Sequence, residues 1–372
     1  MAPPKRDTNA VIAGLLRDLA AVQTSTQSRW GYRRAAAAID GLDAPIESFV
    51  QPDGTLRKIP NIGPSSTKVI LEVLRTGASS IVDLAVESSP KKRDVARSRT
   101  LRDGFLSGAE VAAALQNDAL IGPTRESYLG DLQMHSTWSD GSQTLEMIVD
   151  AGIERGYRYS AVTDHSHGLP IARGMSMADL TKQHQEIDRL NRKHRRRFRL
   201  LKGIEANILA DGSLDLTADE LAHLEIVVAA PHSALRTSEP QTKRMLAAIR
   251  TRGVHILGHP RGRKYGTRPG VTADWDAVFA AAARAEVAIE IDGDPSRQDI
   301  DHTLAPRAVQ AGCLIALDSD AHSTAELDYV LVAIAHARLA GVPPDRVINC
   351  WPIDRLLEWA SRRSGGGRRV AL

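Results

Sequence analysis

The 372-residue sequence predicts an α/β protein, a barrel of parallel strands preceded by a small all-α domain. From Tyr128 onward, short runs rich in Val, Ile and Leu alternate with Ala- and Leu-rich stretches long enough for helices. Such alternation is typical of a parallel sheet. Before residue 83, apolar residues recur at helical spacing instead. The length is sufficient for two or three domains.

The composition excludes several classes of protein. With 42% hydrophobic and 25% charged residues, the chain is not mostly disordered. Two cysteines are too few for a disulfide framework or a cysteine-rich zinc module. The sequence has no apolar run of membrane-spanning length, and its start lacks the pattern of a secretion signal. We therefore expect no membrane partner and a cytoplasmic location, which includes association with the nucleoid.

Residues 1–82 form the predicted helical domain. VIAGLLRDLAAV and SRWGYRRAAAAIDGL have the apolar spacing and alanine content of helices. Pro60 and Gly63 then interrupt the segment GTLRKIPNIGPSSTKVILEVLRTG between two apolar stretches. An apolar stripe at helical spacing, beginning at Val69, predicts a helix that stops at Gly77.

Residues 83–126 are interpreted as a basic linker with one short helix at 108–116. The net charge of the chain is +3, and the basic excess lies in its first third. It is concentrated in SSPKKRDVARSRTLR, residues 88–102. Such a run is usually solvated, and a segment that faces nucleic acid is the alternative.

Residues 127–372 form the predicted barrel. Seven apolar runs each end in polar side chains; they are YLGDLQMHS, YSAVTDHSH, FRLLKGIEAN, LEIVVAAPHS, VHILGHP, VAIEIDGD and CLIALDSDAH. In a barrel of parallel strands, the loops at the carboxyl ends build the active site. A doubly wound open sheet would collect its ligands at one switch point, so the barrel is favoured.

These strand ends supply residues that can bind metal ions. They are His135, Asp140, His165, Glu205, His232, His259, Asp320 and His322. Imidazole and carboxylate without thiolate suit Zn, Mn or Fe. Eight ligands exceed the need of one ion, and two ions can together activate water and stabilise a phosphoryl group. The pattern predicts two to three ions, with Mn²⁺ or Zn²⁺ expected and Fe as a further option.

The motifs DLQMHSTWSDG, AVTDHSH, GIEANILADGSLD, VVAAPHSALR, LGHPRGR and LDSDAH resemble the PHP (polymerase and histidinol phosphatase) superfamily. The resemblance implies a distorted (β/α)7 barrel with a trinuclear metal site formed by the eight residues above. It implies that Glu205 bridges the metal ions and that Asp320 and His322 take part in catalysis with it. Gln133 departs from the family pattern, because it stands where the first histidine of a His-x-His pair is expected. An amide oxygen is a weaker, neutral ligand.

The segments RWGYRRAAAAIDGL and GTLRKIPNIGPSSTKVILEVLRTG resemble the small helical domain of bacterial family X DNA polymerases. The second implies a helix-hairpin-helix motif that contacts a DNA backbone phosphate. Its contacts would come from Asn61, Ile62, Gly63 and Ser65. Asn61 replaces a family glycine and tolerates left-handed backbone. Val69 replaces the lysine that opens abasic sugars, so no lyase activity is expected, and the polymerase core is missing between the two regions.

The sequence therefore predicts a metal-dependent phosphoesterase that acts on DNA, as a 3′–5′ exonuclease or 3′-end processing enzyme in DNA repair. A metal-activated hydroxide would attack phosphorus, and the DNA partner would be a single strand or a 3′ end. Arg173 and Arg263 follow metal-bearing strands and are predicted to bind phosphate. Two alternatives remain: a small-molecule phosphatase of the histidinol-phosphatase type, and a DNA-binding protein whose PHP site is impaired at Gln133. The oligomeric state is not indicated.

Overall fold

The computed structural model describes residues 7–364. The described chain divides into two compact units. The first comprises the described residues up to Asn117 together with Tyr265–Thr267, and the second comprises the other described residues from Asp118 onward. Within the described range, none of the helices combines the length and the apolarity needed to span a bilayer.

The first unit is entirely helical. Its helices are α1 (Thr8–Val22), α2 (Thr26–Asp40), α3 (Pro64–Thr76), α4 (Ser80–Glu87), α5 (Lys92–Thr100) and α6 (Gly108–Gln116). Asp7 and Ser25 cap the first two helices, each accepting a hydrogen bond from a backbone N–H of the first turn. The predicted amphipathic pattern is confirmed, since Ile12, Leu16 and Ile70 are fully buried in one apolar cluster.

The hairpin before α3 has the backbone that its sequence requires. Asn61 has a φ of 66°, the left-handed conformation that asparagine tolerates. Gly63 is the N-cap of α3, and Pro64 occupies the first helical position, where its missing N–H costs nothing. Gly77 ends the helix with a φ of 77°.

Of residues 83–126, interpreted from sequence as a linker, the part up to Asn117 belongs to the first unit. Val86 of α4 and Val95 of α5 are buried in the same cluster as the first three helices. Asp18 of α1 is buried and is paired with Arg99 and Arg102 at 2.6 and 2.5 Å. Part of the basic run thus compensates a buried carboxylate, which the charge count alone could not reveal.

The second unit contains a six-stranded parallel sheet in sequential order. The strands are β1 (Tyr159–Val162), β2 (Arg199–Asn207), β3 (Ile226–Ala230), β4 (Ile256–Leu257), β5 (Ala288–Asp292) and β6 (Ile315–Asp318). The helices are α7 (Leu145–Glu154), α8 (Met177–His194), α9 (Ala218–Leu221), α10 (Thr242–Arg250), α11 (Trp275–Ala285), α12 (Ala305–Gln310), α13 (Val330–Leu339) and α14 (Ile353–Ser364). The α/β class and the PHP-type barrel with a helical domain before it are confirmed.

The first predicted strand of the barrel, YLGDLQMHS (residues 128–136), is not a regular strand in the structure. Its carbonyls accept hydrogen bonds from the β1 side, as in Ala161 N to Asp131 O at 2.9 Å. On the other edge, the N–H of Asp320 donates to Gln133 O at 3.1 Å. The N–H of Leu132 instead donates to the Asp318 carboxylate, and that of Met134 to a threonine hydroxyl. Because side chains take these donors, the segment connects β1 to the β6 side without forming a continuous ladder.

The side chains that point to the inside of the sheet are apolar at one end of the strands and polar at the other. Leu201, Val228, Ile256, Ala288 and Ala316 bury one end of the interior. Trp351, Leu356 and Trp359 from the C-terminal region close that end. Four residues further along, the alternation of a strand brings polar side chains to the same side, namely Glu205, His232, Asp292 and Asp320. The carboxyl end of the sheet is therefore the polar end.

Candidate metal centre

Glu205, the seventh residue of β2, lies at the centre of the polar end. It is 1% exposed. His135 and His165 approach its Oε2 through ring nitrogens at 3.4 and 3.1 Å. His232 and His259 approach Oε1 at 3.0 and 2.9 Å. A single carboxylate thus faces two pairs of imidazoles, one at each oxygen, as a bridging ligand would.

Two aspartates flank this centre on opposite sides. Asp320 follows β6, and its Oδ1 lies 3.0 Å from Nε2 of His135. The Oδ1 of Asp140 lies 3.7 Å from Nε2 of His165 and 3.5 Å from Nε2 of His322. All eight residues that the sequence suggested as ligands therefore come together. Three of the groupings have ligand atoms within 4.8 Å of one another: His135, Asp140, His165 and His322; His165, Glu205 and His232; His135, Glu205 and Asp320.

The polar atoms of the cluster fit divalent cations. Nδ1 of His135, Nδ1 of His165, Nε2 of His232 and Oε2 of Glu205 are buried and have no hydrogen-bond partner among the described residues. Leaving buried polar atoms unpaired is costly, so this concentration of them indicates a ligand. Nitrogen and carboxylate donors without thiolate are those of Zn, Mn and Fe sites. The cluster supports divalent metal binding.

A second layer of hydrogen bonds orients the imidazoles. Nδ1 of His232 lies 2.8 Å from Oδ1 of Asn207, and an amide oxygen can only accept. Nδ1 of His322 lies 2.8 Å from the Asp320 carbonyl oxygen. In both rings Nδ1 must carry a proton, so Nε2, when unprotonated, is the nitrogen available to a metal ion. Asn207 was missed from the sequence, although it lies two residues after Glu205 in the motif GIEAN.

The electrostatics of the cluster keep its carboxylates ionised. Burial alone would raise the pKa of Asp140, but the contact with His322 and the neighbouring imidazoles lower it to about 2. Burial likewise opposes ionisation of Glu205, and His165 and His232 hold its pKa well below its usual value. Asp140 and Asp320 outweigh burial at His322 and raise its pKa to about 9. Ionised carboxylates surrounded by imidazole rings are suited to bind metal ions.

Gln133 lies in the interior beside this cluster and is fully buried. Neither its amide nitrogen nor its amide oxygen has a hydrogen-bond partner among the described residues. A β-carbon at Gly258 would lie 3.3 Å from the amide oxygen, which places that oxygen near the end of β4. The Gln133 side chain therefore faces inward and has a neutral oxygen that accepts no hydrogen bond from the described residues.

The two arginines predicted to bind phosphate have different surroundings. Arg173 is exposed and has a φ of 55°. Arg263 is buried, pairs with Asp301 at 2.7 Å, and donates to the carbonyl of Arg297 at 2.9 Å. Arg297 was not singled out from the sequence. Its Nε lies 3.4 Å from Oδ2 of Asp320, one of the predicted metal ligands.

The hairpin of the first unit borders a separate cavity of about 440 Å³. It is lined by Ser28, Gly31, Tyr32, Arg34, Lys58 and residues 59–66, which include all four predicted DNA contacts. Trp30 lies on the same helix as Arg34 and is 56% exposed. The guanidinium of Arg33 lies 5.9 Å from the centroid of the Trp30 ring. The surface combines backbone amides, cations and one exposed indole.

The fold and the site together define a metal-dependent phosphoesterase of the α/β class. The chain belongs to the PHP superfamily, with a helix-hairpin-helix domain matched at residues 7–79. It is 31% identical over 252 residues to a protein named "Probable phosphatase" from Citrobacter koseri, an alignment that covers 63% of this chain and 95% of that protein. The chain is thus a hydrolase of this superfamily.

A second relative is a considerably longer protein. The chain is 38% identical over 221 residues to the DNA polymerase/3′-5′ exonuclease PolX of Bacillus subtilis, which covers 59% of this chain and 39% of that protein. The chain therefore spans well under half of that relative. Among solved structures, a histidinol phosphate phosphatase from Lactococcus lactis, complexed with zinc, L-histidinol and phosphate, superposes with a TM-score of 0.44 at 19% identity. That alignment covers 56% of this chain and 94% of the other.

Proposed function

We propose that the chain is a metal-dependent phosphoesterase that hydrolyses phosphate esters at DNA ends, as a 3′–5′ exonuclease or 3′-end processing enzyme. The observation that carries this proposal is one chain with two parts: a histidine-carboxylate centre around Glu205 and a helix-hairpin-helix unit. The PolX relative, named as a 3′-5′ exonuclease, is consistent with the same pairing. Its polymerase activity is not part of the proposal.

The residues of the centre have distinct tasks in this proposal. Glu205 would bridge two metal ions, because each of its oxygens faces its own pair of imidazoles. His135, His165, His232 and His259 would complete their coordination, with Asp140, Asp320 and His322 at the flanks. When bound, Mn²⁺ or Zn²⁺ would supply an activated water and neutralise charge on the phosphoryl oxygens. Asn207 holds the His232 ring in the required tautomer.

DNA binding is assigned to the surface around the hairpin. The free amides at the start of α3 suit a backbone phosphate, as helix N-termini commonly do. Arg34 and Lys58 line the adjacent cavity and add positive charge. Trp30 offers an exposed ring on which an unpaired base can stack. These features favour single-stranded or frayed ends over sequence-specific recognition.

The test compares two substrates on the full chain. A 5′-labelled single-stranded oligonucleotide and p-nitrophenyl phosphate are incubated with Mn²⁺, and Asp320→Ala is the inactive control. We expect Arg34→Glu to slow degradation of the oligonucleotide while it leaves p-nitrophenyl phosphate hydrolysis unchanged, because Arg34 lines the hairpin cavity. Equal oligonucleotide rates in both proteins would contradict DNA targeting by this surface.

A small-molecule phosphatase is the second candidate, because the Citrobacter koseri relative matches nearly its full length and is named for phosphatase activity. Rapid hydrolysis of small esters with no shortening of any oligonucleotide would favour this candidate. If neither substrate reacts with any of Mn²⁺, Zn²⁺ or Fe²⁺, a DNA-binding protein with an impaired site is favoured. Gln133→His should then restore turnover.

A further inference from the structure

The end of α8 and the turn after it form the densest basic run of the sequence. The segment NRKHRRRFRL, residues 191–200, contains six arginine and lysine residues and no acid. The helix ends at His194, and residues 195–197 form the turn before β2. Like charges so close together repel one another, so a cluster of this kind needs acidic partners to offset the repulsion.

The protein supplies acidic partners for only two of these cations. Oε1 of Glu146 lies 2.6 Å from Nζ of Lys193, and Oε1 of Glu225 lies 2.5 Å from Nη2 of Arg199. Five arginines of this region are exposed and form no ion pair or side-chain hydrogen bond with any residue between 7 and 364. These five, which we call the α8 basic surface, are Arg158, Arg192, Arg195, Arg196 and Arg197.

The backbone brings the members of this surface together. Arg195, the C-cap of α8, keeps a helical backbone with a φ of −44° and a ψ of −25°. Residues three apart on a helix are neighbours, so Arg192 lies next to Arg195. The N–H of Arg199 donates to the carbonyl of Arg158 at 3.0 Å, which places Arg158 next to the start of β2. The five guanidinium groups therefore belong to one continuous region.

The turn that carries three of these arginines is attached to the protein on both sides. Nδ2 of Asn191 donates to the carbonyl of Leu200, and Oδ1 of Asn191 accepts from the Leu200 N–H, both at 2.8 Å. The N–H of Arg197 donates to the carbonyl of His194 at 2.7 Å. The side chain of Phe198 is buried. A cationic surface on a fixed backbone loses less freedom when it binds a partner.

Neither the helix dipole nor the metal centre accounts for this charge. A helix dipole favours cations in the last turn, and three basic residues, Arg192 to His194, already occupy the last turn of α8. The arginines of the turn come after it. Arg199 and Glu205 lie six positions apart on β2, a distance of about 20 Å along a strand. A phosphate at the metal centre is therefore out of reach of the α8 basic surface.

We propose that the α8 basic surface binds the phosphate backbone of double-stranded DNA, in addition to the contacts assigned to the hairpin. Guanidinium groups suit phosphate, because each can donate two parallel hydrogen bonds. With Phe198 buried, the turn exposes no ring for an unpaired base and no apolar side chain for a lipid layer. The inference goes beyond the proposed function, since duplex binding here requires neither metal ions nor hydrolysis.

The experiment measures binding of the full chain to a covalently closed DNA duplex by fluorescence anisotropy, between 50 and 200 mM NaCl. A closed duplex has no 3′ end, so hydrolysis at ends cannot alter it. The turn variant combines Arg195→Ala, Arg196→Ala and Arg197→Ala. The matched control changes the net charge equally at exposed positions elsewhere in the second unit, and it combines Arg252→Ala, Arg284→Ala and Arg307→Ala.

We expect the turn variant to bind the duplex at least about 10-fold more weakly than the wild type at 50 mM NaCl, because three phosphate contacts are lost. The slope of log K against log[NaCl] should become shallower by about 3, roughly one for each contact. The control variant should keep the wild-type affinity and slope. Both variants should keep the wild-type Tm, since all the replaced side chains are exposed.

Equal affinities and slopes in the wild type and the turn variant would overturn this inference. An equal loss in the control variant would also overturn it, because net charge and not this surface would then be responsible. If the turn variant loses binding to phosphatidylserine vesicles but keeps duplex binding, the surface serves a lipid layer and the inference is wrong. If the triple variant does not fold, Arg195→Ala combined with Arg197→Ala is judged in the same way, with a slope change of about 2.

Discussion

His255 makes the stability of the second unit sensitive to acid. It precedes β4 and is fully buried. The N–H of Val227 donates to Nδ1 of His255 at 3.0 Å, so Nδ1 must be unprotonated. Nε2 lies 3.0 Å from the carbonyl of Ala360 in α14, to which it donates. The neutral ring joins β3 to the C-terminal helix, and a proton on Nδ1 would break the first of these bonds.

The size of the effect follows from the pKa. Burial is the main cause that lowers the pKa of His255 from its usual 6.5 to about 4; the hydrogen bond to the Ala360 carbonyl opposes this shift, and the charge of Arg363 adds to it. Because the unfolded chain takes up the proton first, the stabilisation is complete above pH 6.5 and is lost as the pH falls toward 4. The limit is about 3 kcal/mol, of which about 2 kcal/mol should be lost between pH 7 and pH 5.

The assay is urea unfolding of the wild type and of His255→Asn at pH 7, 6 and 5. Tryptophan fluorescence is a suitable signal, since four of the five tryptophans lie in the second unit. Other groups titrate in this range, so the informative quantity is the difference in unfolding free energy between the two proteins. We expect that difference to shrink by about 2 kcal/mol from pH 7 to pH 5. A difference that does not change with pH would refute the assigned protonation state.

Two further outcomes are expected. Treatment with a chelator should lower the Tm, and Mn²⁺ or Zn²⁺ at about 100 times its Kd should restore about 2.7 kcal/mol of stability, because the ligands around Glu205 bind only when folded. Scanning fluorimetry measures the shift, and its persistence in full in Asp320→Ala would contradict the ligand assignment. Trp30→Ala should weaken binding of an oligothymidylate by about 1–3 kcal/mol in fluorescence anisotropy, the typical contribution of one stacked base. Leu84→Ala, at a 71% exposed position of the same unit, is the control and should have no effect.

The fold, and the residues that gather around Glu205, could be predicted from the sequence because both depend on a repeated local pattern. Each predicted strand is a short apolar run, and the side chain that follows it lies at the carboxyl edge of a parallel sheet. Glu205 and Asp320 were found this way, although 115 positions separate them in the chain. Their proximity follows from topology, which the strand-helix alternation already predicts.

The features that were missed depend on contacts between segments with no local signal. The buried pairing of Asp18 with Arg102 turns a basic run into part of a packed unit. The side chain of Asp318 takes a backbone donor from the first barrel segment and prevents a regular strand there. Arg263 holds the loop that carries Arg297. Neither this contact nor the position of Arg297 beside Asp320 can be recognised from the spacing of residues along the sequence.

The order of the ligands along the chain determines when the centre can form. Asp140 and Glu205 precede the middle of the second unit, but Asp320 and His322 follow β6, its last strand. During synthesis, a nascent chain that has emerged only as far as residue 314 has the imidazoles around Glu205 without their partners at the flank. The carboxylates and rings would then be unshielded until β6 pairs with β5. Completion of the predicted ligand set thus coincides with the pairing of β6 with β5, before Trp351, Leu356 and Trp359 have been synthesised to cover the other end of the interior.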